Sequence, residues 1–144
     1  MIEQDTIRLL RECDAGVKMG ISSIDDVLGS VHAEDMKTML QRCKADHETL
    51  DYEIREALNR FMDEGKDPNP MAKAMSEMKT NMKLAMHDSD TTIADLMTDG
   101  CNMGVKSLTK YLNKYKAADE ASKDIAKRLI SLEDRLAIDL RPYL

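Results

Sequence analysis

Aromatic residues and an excess of basic charge are both missing from this sequence. The chain has no tryptophan, one phenylalanine and four tyrosines, so few side chains can stack on bases or sugars. Its 21 lysines and arginines are outnumbered by 27 aspartates and glutamates, which gives a net charge of −6 at pH 7. Because nucleic-acid binding without sequence preference needs a basic surface, we expect no nucleic-acid partner.

Proline, glycine and long apolar runs are also scarce. Only three prolines and six glycines interrupt a chain rich in helix-forming residues, and no strand-like alternation is present. No apolar run approaches the roughly 18 residues of a membrane span, and the first residues lack the basic and apolar regions of a signal peptide, so no membrane partner is expected. Three cysteines without a Cys-x-x-Cys spacing indicate a reduced compartment, and we predict a cytoplasmic protein.

Catalytic motifs are absent as well. The sequence contains no glycine-rich phosphate loop, no nucleophile elbow and no His-Glu-x-x-His pair. We therefore expect no enzymatic activity.

One hexapeptide occurs twice in the chain. Residues 13–18 read Cys-Asp-Ala-Gly-Val-Lys, and residues 101–106 read Cys-Asn-Met-Gly-Val-Lys. Cys, Gly, Val and Lys match in both copies, and the same offset aligns apolar and acidic positions further along. This repeat predicts a helical hairpin that has been duplicated.

The turn and capping residues divide the chain into five predicted helices. The clearest break is Gly65–Pro70, where Asn69 can cap a helix that starts at Pro70, and Gly29 is expected to end the first helix. The predicted helices run from about Glu3 to Leu28, from His32–Ala33 towards Gly65, from Met71 to Met86, from Thr92 to Tyr115, and from Asp119 to just before Pro142. This gives one domain made of a hairpin at 3–65, a crossover helix at 70–87 and a second hairpin at 90–141.

This layout resembles the ferritin-like superfamily. The shared features are the hexapeptide helix, the proline-containing break, the short crossover helix with Asp88-Ser89-Asp90, and Gly100–Lys106 in the fourth helix. Within that superfamily the chain is similar to a bacterial branch of small helical-bundle proteins of unknown function. The resemblance implies an all-α fold, a ferritin-like four-helix bundle built from a duplicated hairpin with an extra short crossover helix.

Di-iron members of that superfamily place a Glu and a Glu-x-x-His motif in each hairpin. The matching positions here are Asp14, Lys44 and His47 in the first hairpin, and Asn102, Leu132 and Arg135 in the second. Only Asp14 and His47 keep a ligand type, so the resemblance implies a degenerate di-iron site with no cofactor. The alternative is iron or another divalent metal in an atypical site formed by Asp14, His47 and Glu133.

The apolar seams of the predicted helices contain polar residues that need partners. Asp14 interrupts the seam of the first helix, and His47 interrupts the seam of the second. A buried carboxylate without a partner is costly, so we predict that Asp14 faces His47 and that Arg135 or Lys44 compensates the charge. The predicted buried polar cluster comprises Asp14, Lys44, His47, Asn102 and Arg135.

Glycines and cysteines of the repeat lead to two further predictions. Gly16 and Gly104 are expected to mark a close, antiparallel crossing of the first and fourth helices. Cys13, Cys43 and Cys101 are interpreted as small buried hydrophobic residues, with a redox or soft-metal role as the alternative.

The third helix carries methionine at every third or fourth position. This stripe consists of Met71, Met75, Met78, Met82 and Met86. The spacing is that of an amphipathic helix, which favours packing on the bundle or on a second subunit over a copper(I) site. The sequence thus predicts a non-catalytic protein with a structural or protein-interaction role and a homo-oligomer such as a dimer. The alternative is a metal-binding or oxidative-stress protein.

Overall fold

The computed structural model describes residues 2–144 and is entirely helical over that range, without strands. Its helices are α1 (Ile2–Leu28), α2 (Glu34–Asn59), α3 (Pro70–Met86), α4 (Asp90–Lys114) and α5 (Glu120–Leu140), followed by a short 3₁₀ helix (Arg141–Tyr143). The predicted all-α class is confirmed. Within residues 2–144 no helix combines the length and the apolar character needed to cross a membrane.

The four long helices pack side by side. α1 contacts α2, α4 contacts α5, and the α2–α5 and α1–α4 contacts complete the arrangement. At one end, the Asp5 carboxylate of α1 accepts a hydrogen bond from the backbone N–H of Ala117, just after α4. At the other end, the Asp90 carboxylate accepts hydrogen bonds from the backbone N–H groups of His32 and Ala33. The start of α1 therefore lies beside the end of α4, so these two helices are antiparallel, as the sequence predicted.

The apolar interior consists of two clusters, one towards each end of the helices. The first core includes Leu10, Val17, Ile54 and Leu129, and the second core includes Ile24, Leu40, Ile93 and Leu136. In each long helix, the residues of the two cores are separated by about two turns. This gap positions the polar side chains described below.

The predicted seams agree best for α2, where Met36, Leu40, Cys43, His47, Leu50, Ile54 and Ala57 are all buried. In α1 the buried face is wider than the predicted seam: Leu9, Cys13 and Val27 are buried, whereas Ile7, Ile21 and Leu28 are only half-buried. The reason is that α1 packs against α2, α4 and α5, so more than one stripe of its surface is covered.

One helix end differs from the prediction. α2 stops at Asn59, well before Gly65, and the chain then turns through Met62 and Gly65, which both have positive φ angles of 53° and 84°. α1 ends at Leu28, directly before Gly29, as predicted, although Gly29 does not adopt a positive φ angle. The start of α3 is as predicted, because the Asn69 side chain accepts hydrogen bonds from the N–H groups of Met71 and Ala72.

Candidate functional site

A polar layer separates the two apolar cores. Each long helix contributes one residue at this level: Gly20 from α1, His47 from α2, Gly104 from α4 and Glu133 from α5. His47 is fully buried and Glu133 is 9% exposed. The layer is thus a histidine and a carboxylate on facing helices, with glycines on the other two helices that leave room for them.

His47 uses both of its ring nitrogens. Its Nε2 lies 2.9 Å from Glu133 Oε1, and its Nδ1 lies 2.8 Å from the backbone carbonyl oxygen of Cys43. The carbonyl oxygen can only accept, so Nδ1 donates to it, and Nε2 donates to Glu133 Oε1 when the ring is protonated. Burial alone would lower the pKa of His47, but contacts with the Cys43 side chain and with Glu133 outweigh it and raise the pKa from 6.5 to about 10.

Gly20 makes this geometry possible. A Cβ atom added at Gly20 would lie 2.8 Å from Cδ2 and Nε2 of His47 and 3.3 Å from Glu133 Oε1. Any larger residue would therefore push the imidazolium away from its carboxylate. At Gly104 the corresponding distances to Glu133 are 3.7 Å, which is ordinary contact.

The predicted crossing at Gly16 and Gly104 is wrong. In the described chain, a Cβ at Gly16 would have only the Leu108 and Leu129 side chains within 4 Å, both at 3.7 Å. These bulky side chains fill the space beside Gly16, whereas Gly104 faces Glu133 of α5. The glycine that permits a close approach is Gly20, which the sequence analysis did not single out. Its position between the seam residues Val17 and Ile24 was the available signal, since glycine inside a helix is destabilising without such a reason.

Two thiols border the polar layer. Cys43 Sγ lies 3.6 Å from His47 Nδ1. Burial, and then the charge of Glu133, raise the pKa of the Cys101 thiol. Cys13 belongs to the first core and Cys101 to the second, so the two repeat cysteines do not meet. All three cysteines, which lie within residues 2–144, are free and buried, and burial above all raises the pKa of Cys13 to about 12. For Cys13 and Cys101, burial therefore disfavours the thiolate form.

Asp14 lies elsewhere, and its predicted pairing with His47 is wrong. Its Oδ2 accepts hydrogen bonds from Lys18 Nζ at 2.9 Å and from the backbone N–H of Lys66 at 2.9 Å. The positive φ of Gly65 brings the loop onto this carboxylate, and a Cβ at Gly65 would collide with it. The buried Asp14 is therefore paired with Lys18, one turn away on the same helix, and it anchors the loop between α2 and α3.

The other members of the predicted polar cluster point outwards. Lys44 Nζ pairs with Asp25 at 2.6 Å, and Asn102 is exposed. Arg135 has a side chain that is 77% exposed and lies 4.0 Å from Asp139. The five-residue cluster is therefore wrong, because α5 turns Glu133 to the interior, which leaves Arg135, two residues further on, at the surface. Of the residues proposed for an atypical metal site, the structure brings together His47 and Glu133 but not Asp14. Within residues 2–144, no group of three or more His, Cys, Asp or Glu side chains is arranged to hold a metal ion.

Helix α3 presents its apolar side to solvent. Of its 17 residues, all within the described range, none is buried. The stripe residues Met71, Met75, Met78, Met82 and Met86 are 60–74% exposed. The half-buried positions are on the opposite side of the helix, namely Lys73, Glu77, Thr80, Lys83 and Leu84. The prediction that the stripe packs on the chain's own bundle is wrong.

The inner side of α3 makes both charged and apolar contacts with the bundle. Lys83 Nζ lies 3.9 Å from Asp95 of α4. Burial raises the pKa of the Asp26 carboxyl group on α1. The charge of Glu77 raises this pKa further, and the charge of Lys73 lowers it. The inner side of α3 thus combines this ion pair to α4 with Leu84, which packs against the second core, and the methionines lie outside. We call the five methionines and the alanines beside them, Ala72, Ala74 and Ala85, the methionine face.

The chain matches no protein-family model, no curated protein and no solved structure. The resemblance to the ferritin-like superfamily therefore stays a prediction.

Proposed function

We propose that this protein is a non-catalytic, cytoplasmic interaction module that binds a protein partner through the methionine face of α3. The observation that carries this proposal is the orientation of α3, with five exposed methionines outside and with Lys73, Glu77 and Lys83 on the inner side. An amphipathic helix normally buries its apolar side. A helix that does the opposite has an apolar surface available for binding.

The size and chemistry of the face suit this role. Fully burying a methionine side chain contributes about 1.5–3 kcal/mol, so five methionines supply a large gross driving force before the costs of association are subtracted. Methionine is unbranched and polarizable, which lets it adapt to the shape of a partner. Contiguous exposed apolar patches of several hundred Å² usually mark interaction sites.

The proposed scaffold is a ferritin-like four-helix bundle built from a duplicated hairpin. Support comes from the packing of α1 with α2 and of α4 with α5, and from α3, which carries the chain between the two pairs. On this proposal the His47–Glu133 pair occupies the place of a degenerate di-iron site. A buried ion pair of this kind fixes how the helices align, because any other register would leave a charge unpaired.

The alternative is a metal-binding or oxidative-stress protein, favoured by the approach of His47 and Glu133 beside two thiols. Metal binding would require a neutral imidazole, whereas both ring nitrogens of His47 are already used. Tag-free protein should show no rise in melting temperature with Fe²⁺ or Zn²⁺. A rise that His47→Ala abolishes would favour this alternative instead.

Methionine oxidation tests the interaction role. Met62 is 94% exposed and lies outside the methionine face, so it serves as an internal control. In dilute purified protein, peroxide should oxidise Met75, Met78 and Met82 about as fast as Met62. In cells that express the chain, the three methionines of α3 should oxidise several-fold more slowly than Met62, as read by peptide mass spectrometry. Equal rates in cells would refute the proposed function.

A further inference from the structure

The methionine face can be placed against a second copy of itself so that methionines meet methionines. Along α3 the methionines are spaced by four, three, four and four residues. Consider a second α3 placed antiparallel to the first, with the two-fold axis passing between Met78 and Lys79 of each helix. Met71 of one copy then lies opposite Met86 of the other, and Met75 lies opposite Met82. Met78 then lies beside Met78 of the other copy. In any two-fold interface a residue and its contact exchange roles between the copies, and in this register the exchanged pairs are methionine with methionine.

The sides of the face allow two such helices to approach closely. The small residues Ala72, Ala74 and Ala85 are exposed beside the methionines. The single acidic residue of α3, Glu77, is half-buried on the opposite side. No negatively charged residue of α3 therefore lies between the two methionine rows. The 17 residues of α3 form a helix of roughly 25 Å, which gives both rows room for their full length.

The exposed area is also appropriate for a dimer. Five methionines that are 60–74% exposed, together with three exposed alanines, form a continuous apolar surface of several hundred Å². Each partner in a standard interface contributes about 800 Å². The methionine face would thus form the centre of such an interface, and the exposed polar residues along its edges would form the rim.

We infer that the methionine face of α3 pairs antiparallel with the methionine face of a second copy of this chain, and this inference rests on the proposed function of α3. The pairing brings the two Lys79 ammonium groups to the same side of the interface, close to the two-fold axis. Their repulsion weakens as salt increases. Self-association should therefore strengthen with salt, whereas binding to an acidic protein or to an anionic membrane would weaken.

The first experiment measures the mass of the full-length protein by sedimentation velocity from about 1 μM to about 1 mM. The wild type should move from monomer to dimer over this range, at lower concentration in high salt. Met78→Glu should raise the dimer dissociation constant by about 100-fold, because it places a charge at the centre of an apolar interface. Met103→Glu, at an exposed methionine of α4, is the matched control and should leave the dissociation constant unchanged.

The second experiment tests the register by disulfide trapping. Met78→Cys should form a crosslinked dimer much faster than Met103→Cys. Met71→Cys alone should not, but mixing it with Met86→Cys should give the mixed dimer. Rapid crosslinking of Met71→Cys with itself would indicate parallel helices and overturn the antiparallel pairing.

The two proposals can fail separately. A wild type that stays monomeric to about 1 mM, with Met78→Cys crosslinking no faster than Met103→Cys, overturns self-pairing. If the α3 methionines are then still protected from oxidation in cells, the proposed function stands with a different partner. If they are not protected there either, both proposals are refuted.

Discussion

Replacing Gly20 by alanine adds one methyl group at the most crowded point of the polar layer. In an ordinary helix this change stabilises by about 0.5–1 kcal/mol, because glycine loses more backbone freedom on folding. Here the new Cβ would lie 2.8 Å from two atoms of the His47 ring, which is too close for carbon or nitrogen. The ring cannot move without lengthening its hydrogen bonds to Glu133 and to the Cys43 carbonyl group.

The magnitude follows from two known costs. Overpacking a core typically destabilises by about 1–3 kcal/mol. Breaking a buried ion pair costs about 3–5 kcal/mol, although a displaced ring would lose only part of the pairing with Glu133. After the helix-propensity gain is subtracted, we expect Gly20→Ala to lower the free energy of unfolding by about 2–4 kcal/mol. For a chain of this length the melting temperature should fall by roughly 6–15 °C.

Gly100 offers a matched control on α4. In the described chain nothing lies within 4 Å of a Cβ placed there, so Gly100→Ala should stabilise by about 0.5–1 kcal/mol. Urea unfolding followed by circular dichroism measures both variants. A double-mutant cycle isolates the cause: in a His47→Ala background, the cost of Gly20→Ala should vanish. If Gly20→Ala is as stable as Gly100→Ala, or if its cost persists without His47, the proposed packing of the layer is wrong.

Three further changes test other contacts. Because the pKa of His47 is raised from 6.5 to about 10 in the folded protein, its stabilising effect is complete below pH 6.5 and is lost as the pH rises towards 10. The unfolding free energy should therefore fall between pH 6.5 and 9 in the wild type but stay flatter in His47→Gln. Asp14→Ala removes the acceptor for Lys18 and for the Lys66 N–H and should destabilise by about 2 kcal/mol, with faster trypsin cleavage after Lys66; unchanged cleavage would contradict the anchoring role. Gly65→Ala should cost at least about 1 kcal/mol in thermal unfolding, since alanine at positive φ is strained and its Cβ meets Asp14.

The helical fold could be predicted from the sequence because its signals are local. Caps, turn residues and apolar spacing placed all five helices within a few residues, except at the end of α2. The buried face of α2, including Cys43 and His47, followed from its periodicity. Glu133 was harder to place, because α5 packs against three helices and its inward face is wider than one seam.

The partners of the buried charges could not be predicted in the same way. Periodicity indicated that Asp14 and His47 are buried, but the identity of a partner depends on the rotation of the facing helix and on the path of a loop. His47 pairs with the carboxylate of Glu133 on α5. Asp14 accepts a hydrogen bond from the backbone N–H of Lys66, in a loop whose path depends on the positive φ angle of Gly65. Neither feature has a signal in the spacing of apolar residues.

The side to which the methionine stripe points could not be predicted from the sequence either. The spacing of the methionines shows that α3 has an apolar side, but not whether that side faces the bundle or the solvent. In the structure the two ends of α3 decide this. The loop before it is tied to α1 by the Asp14 carboxylate, by Lys18 with Asp67, and by Lys66 with Glu12. After α3 the chain enters α4, whose first residue, Asp90, binds the turn between α1 and α2. α3 itself buries no residue, so these attachments at its two ends, together with Leu84 packed against the second core, keep the methionines outward. An apolar surface displayed by polar anchors at both ends of its helix is better suited to binding than to filling the core of its own chain.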